Sequence, residues 1–250
     1  MNSRTLSKIL LLPLFLAGAS CAPDRPPTQL PSQALGQGQG KPAASLTGKI
    51  EIKALPGHGA WMNAPKDFKI LSDDSFSITA STKTDLYNEV DSSVHTATAP
   101  MLLFPAGDIF VLTTAVNVDF KQEYDGGFLV VYSDPDHWVK LLFEKSHYGT
   151  FSVCSNVTNV NPDDSVNADV PGQEVFLRLT RAKDVFGLYY SIDGKKWTYI
   201  RYFRFPLKGP LHVGFASQSP AGEQCSTVFS KIRYSPKAVG DFWTGEPKLE

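Results

Sequence analysis

Apolar and polar positions alternate with a period of two along much of the chain between residues 47 and 236. In the segment Phe110–Phe120, for example, five large apolar side chains fall on one face, as in a strand with one buried side; they are Phe110, Leu112, Val116, Val118 and Phe120. We predict eight further strands, which are rich in β-branched and aromatic residues. They are Phe128–Tyr132, Trp138–Glu144, Phe151–Thr158, Val175–Arg181, Phe186–Ser191, Thr198–Phe205, Leu211–Ser217 and Thr227–Tyr234.

These strands predict an all-β fold. No segment shows a sustained period of 3.6 with caps at both ends, so helices are not expected. The pair Asp193-Gly194 predicts a hairpin, since Asp-Gly adopts positive φ at little cost. Many short strands at regular spacing imply a sandwich of two packed antiparallel sheets, and most of the aromatic side chains then belong to its core.

The N-terminus has the three parts of a secretion signal. A short basic region with Arg4 and Lys8 precedes the apolar run Ile9–Leu16, and small residues follow. We therefore predict a signal peptide over residues 1–20 and an exported protein. The apolar run is too short to span a bilayer, and no later stretch reaches the length of a spanning helix.

Cys21 directly follows the small residues, which resembles the lipobox of bacterial lipoproteins, in which this thiol is acylated. Gly18 departs from that pattern, which prefers Leu three residues before the cysteine, and ordinary cleavage after Ala17–Ala19 is the alternative. With a lipidated Cys21 the chain is expected at the cell envelope, as an outer-membrane or cell-surface lipoprotein that touches the membrane through its lipid anchor only.

The remaining chain divides by composition. Residues 21–46 are rich in Pro, Gln, Gly and Ser and nearly free of large apolar residues, so we predict a flexible linker after the lipidated cysteine. Residues 47–236 form the predicted sandwich, and residues 237–250 a C-terminal tail.

The net charge bears on whether the protein binds nucleic acid, and the cysteine content bears on whether it contains a disulfide. Removing residues 1–20 takes away two bases, Arg4 and Lys8, and no acid, which leaves 22 bases against 25 acids. A surface so close to neutral argues against a nucleic-acid partner. In an oxidising compartment Cys154 and Cys225 are candidates for one disulfide, and two buried thiols are the alternative.

Motifs in and around the predicted strands occur in a characteristic order along the chain. They are Trp61–Pro65, Thr84–Tyr87, Gly107–Phe110, Gly127–Tyr132, Trp138–Glu144, Val157–Asn159, Leu177–Arg181, Tyr190–Trp197 and Gln218–Pro220. This ordered series resembles a bacterial family often labelled "regulation of enolase protein 1", a concanavalin A-like domain of unknown function. The resemblance implies a jelly-roll sandwich with kinship to carbohydrate-binding sandwiches and to a domain appended to some β-xylosidases, and it implies no known reaction. At Leu86-Tyr87 the family pattern has Phe-Trp, so a site lined by that aromatic is expected to differ in shape here.

Jelly-roll sheets usually curve, and a ligand site is expected on the concave face. An aromatic ring beside charged hydrogen-bonding groups is what a sugar site needs, because the ring stacks on C–H groups and the polar groups meet hydroxyls. The alternative is a cross-strand ladder of ion pairs on a solvated sheet. The predicted ligand-binding residues are Trp138, Lys140, Glu144, Arg178, Tyr190 and Gln218.

Asp163, Asp164 and Asn167 form a predicted loop of oxygen donors, which is a weak candidate for Ca²⁺. A turn stabilised by the same side chains, without a metal, is the alternative. The five histidines are scattered, with no spacing typical of a transition-metal site. No other cofactor is expected.

Three functional hypotheses follow. The leading one is a non-catalytic module that binds a glycan or a similar polyhydroxylated ligand on the concave sheet. The second is a glycoside hydrolase or lyase that uses Glu144, with Glu123 or Asp136 as the second carboxyl group. The third is a structural or protein-interaction lipoprotein, favoured if ion pairs close that face.

Overall fold

The computed structural model of the protein describes residues 46–205 and 210–246. These residues form seventeen strands, and none of them belongs to a helix long and apolar enough to span a membrane. The predicted signal peptide, the lipidation site Cys21 and nearly all of the predicted linker lie outside the described residues. The strands are β1 (Thr47–Glu51), β2 (His58–Met62), β3 (Asp67–Ser72), β4 (Ser75–Ser81), β5 (Leu86–Asn88), β6 (His95–Ala97), β7 (Met101–Pro105), β8 (Ile109–Val118), β9 (Gly126–Asp134), β10 (His137–Lys145), β11 (Phe151–Asn159), β12 (Asn161–Asp169), β13 (Glu174–Ala182), β14 (Val185–Ser191), β15 (Thr198–Arg204), β16 (His212–Gln218) and β17 (Gln224–Ser235).

Two antiparallel sheets form a sandwich, which confirms the predicted fold class. The eight-stranded sheet has the order β1-β2-β7-β16-β9-β10-β11-β12, and the seven-stranded sheet has the order β15-β14-β13-β8-β17-β4-β3. Strands β5 and β6 form a separate hairpin. The nine predicted strands correspond to β8–β11 and β13–β17.

The main core lies between the two sheets and follows the alternation in the sequence. On β10, Val139, Leu141 and Phe143 are fully buried in it. On β8 of the other sheet, Phe110 and Leu112 point into the same cluster. Each such side chain stabilises the fold by roughly 1.5–3 kcal/mol relative to full exposure.

A second apolar cluster lies on the outer face of the eight-stranded sheet. It consists of apolar residues of β2, β7, β9, β10, β11 and β16 that point away from the main core, together with Leu86 of the hairpin and Ala99 before β7. Leu86 is 1% exposed, so the hairpin has an apolar anchor on this face. The hairpin and this cluster border the pocket described below.

The outer face of the seven-stranded sheet carries the C-terminal segment, residues 237–246. The Tyr189 hydroxyl donates to the Phe242 carbonyl at 2.5 Å, and Arg178 donates to the Gly245 carbonyl. The Arg178 guanidinium also lies over the Trp197 ring, 3.7 Å from its centre. Much of the predicted tail is therefore part of the folded unit.

The predicted Asp-Gly turn lies between β14 and β15. Gly194 has a φ of +69°, the left-handed region in which glycine carries no steric penalty. The Asp193 carboxylate accepts hydrogen bonds from the Lys195 and Lys196 amides, which lowers its pKa to about 2.

Candidate functional site

A pocket of about 460 Å³ opens on the outer face of the eight-stranded sheet, beside the β5–β6 hairpin. Strands β10, β11 and β12 form its floor, and the segments around Tyr124, His147 and Gln218 contribute its walls. Its lining is Asp85, Tyr87, Tyr124, Lys140, Leu142, Glu144, His147, Cys154, Ser155, Asn156, Asp164, Ser165, Val166, Gln218 and Pro220.

Lys140 ties the hairpin segment to the sheet. Its ammonium donates to Asp85 Oδ1 at 3.3 Å and to the Leu86 carbonyl at 3.0 Å, and it lies 4.8 Å from the centre of the Phe128 ring. Lys140 is only 5% exposed, so its charge is held by these partners and not by bulk water. Asp85 also accepts from the Leu86 amide at 2.7 Å, which fixes the start of β5.

Glu144 lies further along β10, on the same face as Lys140. Its carboxylate accepts a hydrogen bond from the Cys154 thiol of β11, with 3.3 Å between Sγ and Oε1. Burial raises the pKa of Glu144, and the nearby Lys140 charge offsets only part of that effect. Burial together with the Glu144 charge raises the pKa of Cys154, which keeps this sulfur a neutral thiol.

Asp164 of β12 faces Asn156 of β11 across the strand pair and accepts a hydrogen bond from its amide. Burial raises the pKa of Asp164 despite that bond. Tyr87 lines the pocket from the hairpin and donates its hydroxyl hydrogen to Glu89 Oε2 at 2.6 Å. The pocket thus combines an aromatic ring with carboxylate and amide groups.

Gln218, at the end of β16, is 2% exposed and donates from Nε2 to the Tyr124 carbonyl at 2.9 Å. Its Oε1 has no hydrogen-bond partner among the described residues. The neighbouring loop is fixed by Asp125, whose buried carboxylate accepts from the Lys121 and Gln122 amides and from the Ser219 hydroxyl. Asp125 is therefore a structural acid beneath the pocket wall.

Of the predicted binding residues, the structure brings Lys140, Glu144 and Gln218 together in the pocket. Trp138 shares their face of β10 but is fully buried in the second apolar cluster, and its Nε1 donates to the Pro135 carbonyl at 3.1 Å. The expectation that Trp138 stacks on a ligand is wrong, because the ring is fully buried in the apolar cluster that also contains Leu86 of the hairpin.

Arg178 and Tyr190 are also wrongly placed by the prediction, since β13 and β14 belong to the seven-stranded sheet. Arg178 lies on that sheet's outer face against Trp197 and the C-terminal segment. Tyr190 packs against the main core. Alternation assigned each side chain a face within its own strand but could not say which sheet the strand joins.

The predicted calcium loop is instead strand β12. Asp164 faces the pocket, Asp163 pairs with Arg201 at 3.4 Å, and Asn167 donates to the Ser165 hydroxyl at 3.1 Å. Neighbouring residues of a strand point to opposite faces, so these oxygen atoms do not converge on one point. No cluster of three acidic, histidine or cysteine side chains suited to a metal occurs in the part of the chain that the structure describes.

The predicted disulfide is also wrong, since Cys154 and Cys225 are both buried free thiols. Cys154 belongs to the cluster on the outer face of the eight-stranded sheet, whereas Cys225 of β17 lies in the main core. The eight-stranded sheet itself separates the two environments.

Sequence reasoning missed Asp85 and Asn156 as pocket residues. A signal for Asp85 was present, because it stands in the Thr84–Tyr87 motif, whose aromatic residue was expected to shape any site. Asn156 carries no such signal, since its role depends on the pairing of β11 with β12.

Comparisons with known proteins support the fold. A functionally unknown protein from Saccharomyces cerevisiae is 26% identical with a TM-score of 0.65, covering 71% of this chain and 96% of that one. A GH43 glycoside hydrolase engineered to display both endo-xylanase and exo-arabinofuranosidase activity is 14% identical with a TM-score of 0.53, and a xylan β-1,4-xylosidase from Bacillus halodurans C-125 is 14% identical with a TM-score of 0.51. The matches cover 83% and 82% of this chain but only 43% and 41% of those enzymes, so this chain spans less than half their length.

None of the curated proteins matches the chain significantly. The family model described as "Protein of unknown function (DUF1349)" matches residues 61–237. This match confirms the expected resemblance at the level of a family of unknown function. Because it covers well over half of the sequence, the chain belongs to the DUF1349 family.

Proposed function

We propose that the protein is a non-catalytic module that binds a saccharide or a similar polyhydroxylated ligand in the pocket on the eight-stranded sheet. The observation that carries the proposal is the pocket itself, an open volume of about 460 Å³ in which polar side chains from three neighbouring strands converge beside Tyr87. Ligand pockets typically enclose about 300–1,000 Å³ and place a few polar groups in a mostly apolar lining.

The lining matches the chemistry of a sugar. Asn156 offers an amide, and Glu144 and Asp164 offer carboxylate oxygens that accept hydrogen bonds from hydroxyl groups. Tyr87 and Leu142 offer apolar surface for the C–H groups of the ring. The ion-pair ladder that would have favoured a purely structural role is limited here to the pair of Lys140 with Asp85, and the pocket remains open beside it.

A glycan array followed by calorimetry on the full chain tests this proposal. Tyr87→Ala is expected to weaken binding by about tenfold or more, since an aromatic contact is lost from the pocket. Tyr202→Ala is the matched control, because Tyr202 is a 44% exposed tyrosine on the other sheet. No binding to any saccharide, or equal losses in the two variants, would contradict the proposal.

A second candidate, a glycoside hydrolase or lyase, is favoured by the carboxyl groups that share the pocket. Burial raises the pKa of Glu144, as in general acids that must hold a proton near neutral pH. Asp164 and Asp85 line the same pocket and would replace Glu123 and Asp136 as partners, since neither of the latter lines it.

The enzymatic candidate predicts release of reducing sugar from a bound oligosaccharide. Glu144→Gln should abolish this release while the circular dichroism spectrum stays that of the unchanged protein. Absence of turnover on every oligosaccharide that binds, or full turnover in the Glu144→Gln variant, would exclude it.

We also propose that the module is exported and held at the cell envelope by lipid on Cys21. Support comes from the signal-like N-terminus and from the Pro-rich and Gln-rich segment that follows it. Mass spectrometry of the mature N-terminus tests this proposal, which predicts an acylated Cys21. An unmodified N-terminus produced by cleavage after Ala19 would contradict it.

A further inference from the structure

We propose that the pocket selects saccharides that carry a free, protonated amino group over their neutral counterparts. This inference rests on the proposed function and assigns the ligand class from the charges of the lining. Three carboxyl groups, those of Asp85, Glu144 and Asp164, line the pocket together with a single lysine, Lys140.

The lysine is already used within the protein. Its ammonium contacts Asp85 and the Leu86 carbonyl and lies against the Phe128 ring. Lys140 therefore neutralises Asp85, and two of its three hydrogen-bond donors are used within the protein. The charge that remains for a ligand to meet is negative.

Glu144 and Asp164 accept hydrogen bonds from neutral groups, and the Lys140 charge acts on them only from a distance. The structure gives Glu144 a hydrogen bond from a thiol and Asp164 a hydrogen bond from an amide, and neither forms an ion pair with any residue that the structure describes. Buried carboxylates without a directly bonded cation are costly, so burial raises the pKa of both groups, and the Lys140 charge offsets only part of this effect. A ligand cation would remove this cost.

The Gln218 side chain independently indicates that the pocket lacks a hydrogen-bond donor. This side chain is 2% exposed, lines the pocket and donates from its amide nitrogen to the Tyr124 carbonyl, while Oε1 accepts no hydrogen bond from any described residue. Buried polar atoms are nearly always paired, so an orphaned acceptor on a side chain that lines the same pocket as two carboxylates indicates a site for a ligand rich in N–H donors. An ammonium group supplies three such donors and no acceptor.

Other titratable groups around the pocket also enter any pH dependence. Tyr124 and His147 lie on its walls, and the Cys154 thiol is held neutral beside Glu144. The full set is Asp85 before β5, Tyr87 on β5, Tyr124 before β9, Lys140 and Glu144 on β10, His147 after β10, Cys154 on β11 and Asp164 on β12.

The test compares three disaccharides of one shape at pH 6, where a sugar amine is protonated. They are β-1,4-linked glucosamine disaccharide, its N,N′-diacetylated form and cellobiose, which carry ammonium, acetamide and hydroxyl at C2. We expect the amine to bind the full chain about tenfold or more tightly than cellobiose by calorimetry, because it makes charge-assisted hydrogen bonds to carboxylates.

Two pocket variants and one control locate the effect. Glu144→Gln and Asp164→Asn should each reduce the ratio of the two dissociation constants toward one. Glu174→Gln removes the same charge from β13 of the other sheet and should keep the ratio. A preference that survives in both pocket variants would place the amine elsewhere and overturn the inference.

The result also separates the two proposals. If a neutral saccharide binds the pocket as tightly as the amine, the amine preference is refuted and saccharide binding stands. If no saccharide binds, in this set or on the array, both proposals fail.

Discussion

Replacing Lys140 by Met tests how the structure holds the pocket together. The Lys140 ammonium has a carboxylate and a carbonyl as partners, at 3.3 and 3.0 Å, and its side chain is 7% exposed. Met fills a similar volume without the charge. The substitution leaves Asp85 and the Leu86 carbonyl without their donor at the junction of hairpin and sheet.

The magnitude follows from burial. Removing one partner of a fully buried ion pair typically costs about 3–5 kcal/mol. The Asp85 side chain is 22% exposed and keeps the hydrogen bond from the Leu86 amide, so we expect a smaller loss, about 2–3 kcal/mol. Adding Asp85→Asn removes the orphaned charge and should recover about half of this loss.

Urea denaturation followed by tryptophan fluorescence measures the effect. With a slope of about 2–3 kcal/mol per molar urea, the midpoint should fall by about 1 M. Lys53→Met is the matched control, because Lys53 and Asp73 form a shorter ion pair of 2.6 Å with side chains 77% and 73% exposed. Its midpoint should not change, since water screens that pair. Equal shifts for Lys53→Met and Lys140→Met would refute the argument that burial outweighs distance.

Three further predictions concern charge, redox state and the C-terminal segment. Burial raises the pKa of Glu144 in the folded state, so the ionised carboxylate destabilises the fold only at pH values above the pKa of the unfolded state. Glu144→Gln should therefore raise the melting temperature at pH 7 and leave it unchanged at about pH 4. A lower melting temperature at pH 7 would contradict this. Cys154 and Cys225 should stay unreactive toward a thiol reagent in the native protein and both react after unfolding, whereas a mass change of the native protein on reduction would indicate a bridge. Arg178→Ala should speed proteolytic cleavage within residues 237–246, because the hydrogen bond to the Gly245 carbonyl is lost. An unchanged cleavage rate would contradict this and show that the contacts of Phe242 and Trp243 suffice to hold the segment.

The sequence predicts the strands of the main core because successive side chains of a strand alternate between its two faces. On β8 and β10, residues at i and i+2 share an environment, and the inward set is apolar. The sequence of β12 predicts a loop, because Asn161–Asp169 contains only polar and small residues apart from Val166 and Pro162. It forms a strand because β11 supplies hydrogen-bond partners along its length, and that pairing is a tertiary effect.

The alternation within a single strand does not determine what surrounds the side chains that line the pocket. Alternation correctly places Trp138, Lys140 and Glu144 on one face of β10, but each of the three side chains has different surroundings. The hairpin and its apolar cluster bury the first, Asp85 neutralises the second, and the third is left beside open volume. What a residue on an outward face can bind is therefore decided by a segment more than fifty positions away in sequence. The Glu144 carboxylate, which forms no ion pair with any described residue, is the group on β10 through which a ligand is expected to act, since the Trp138 ring is fully buried.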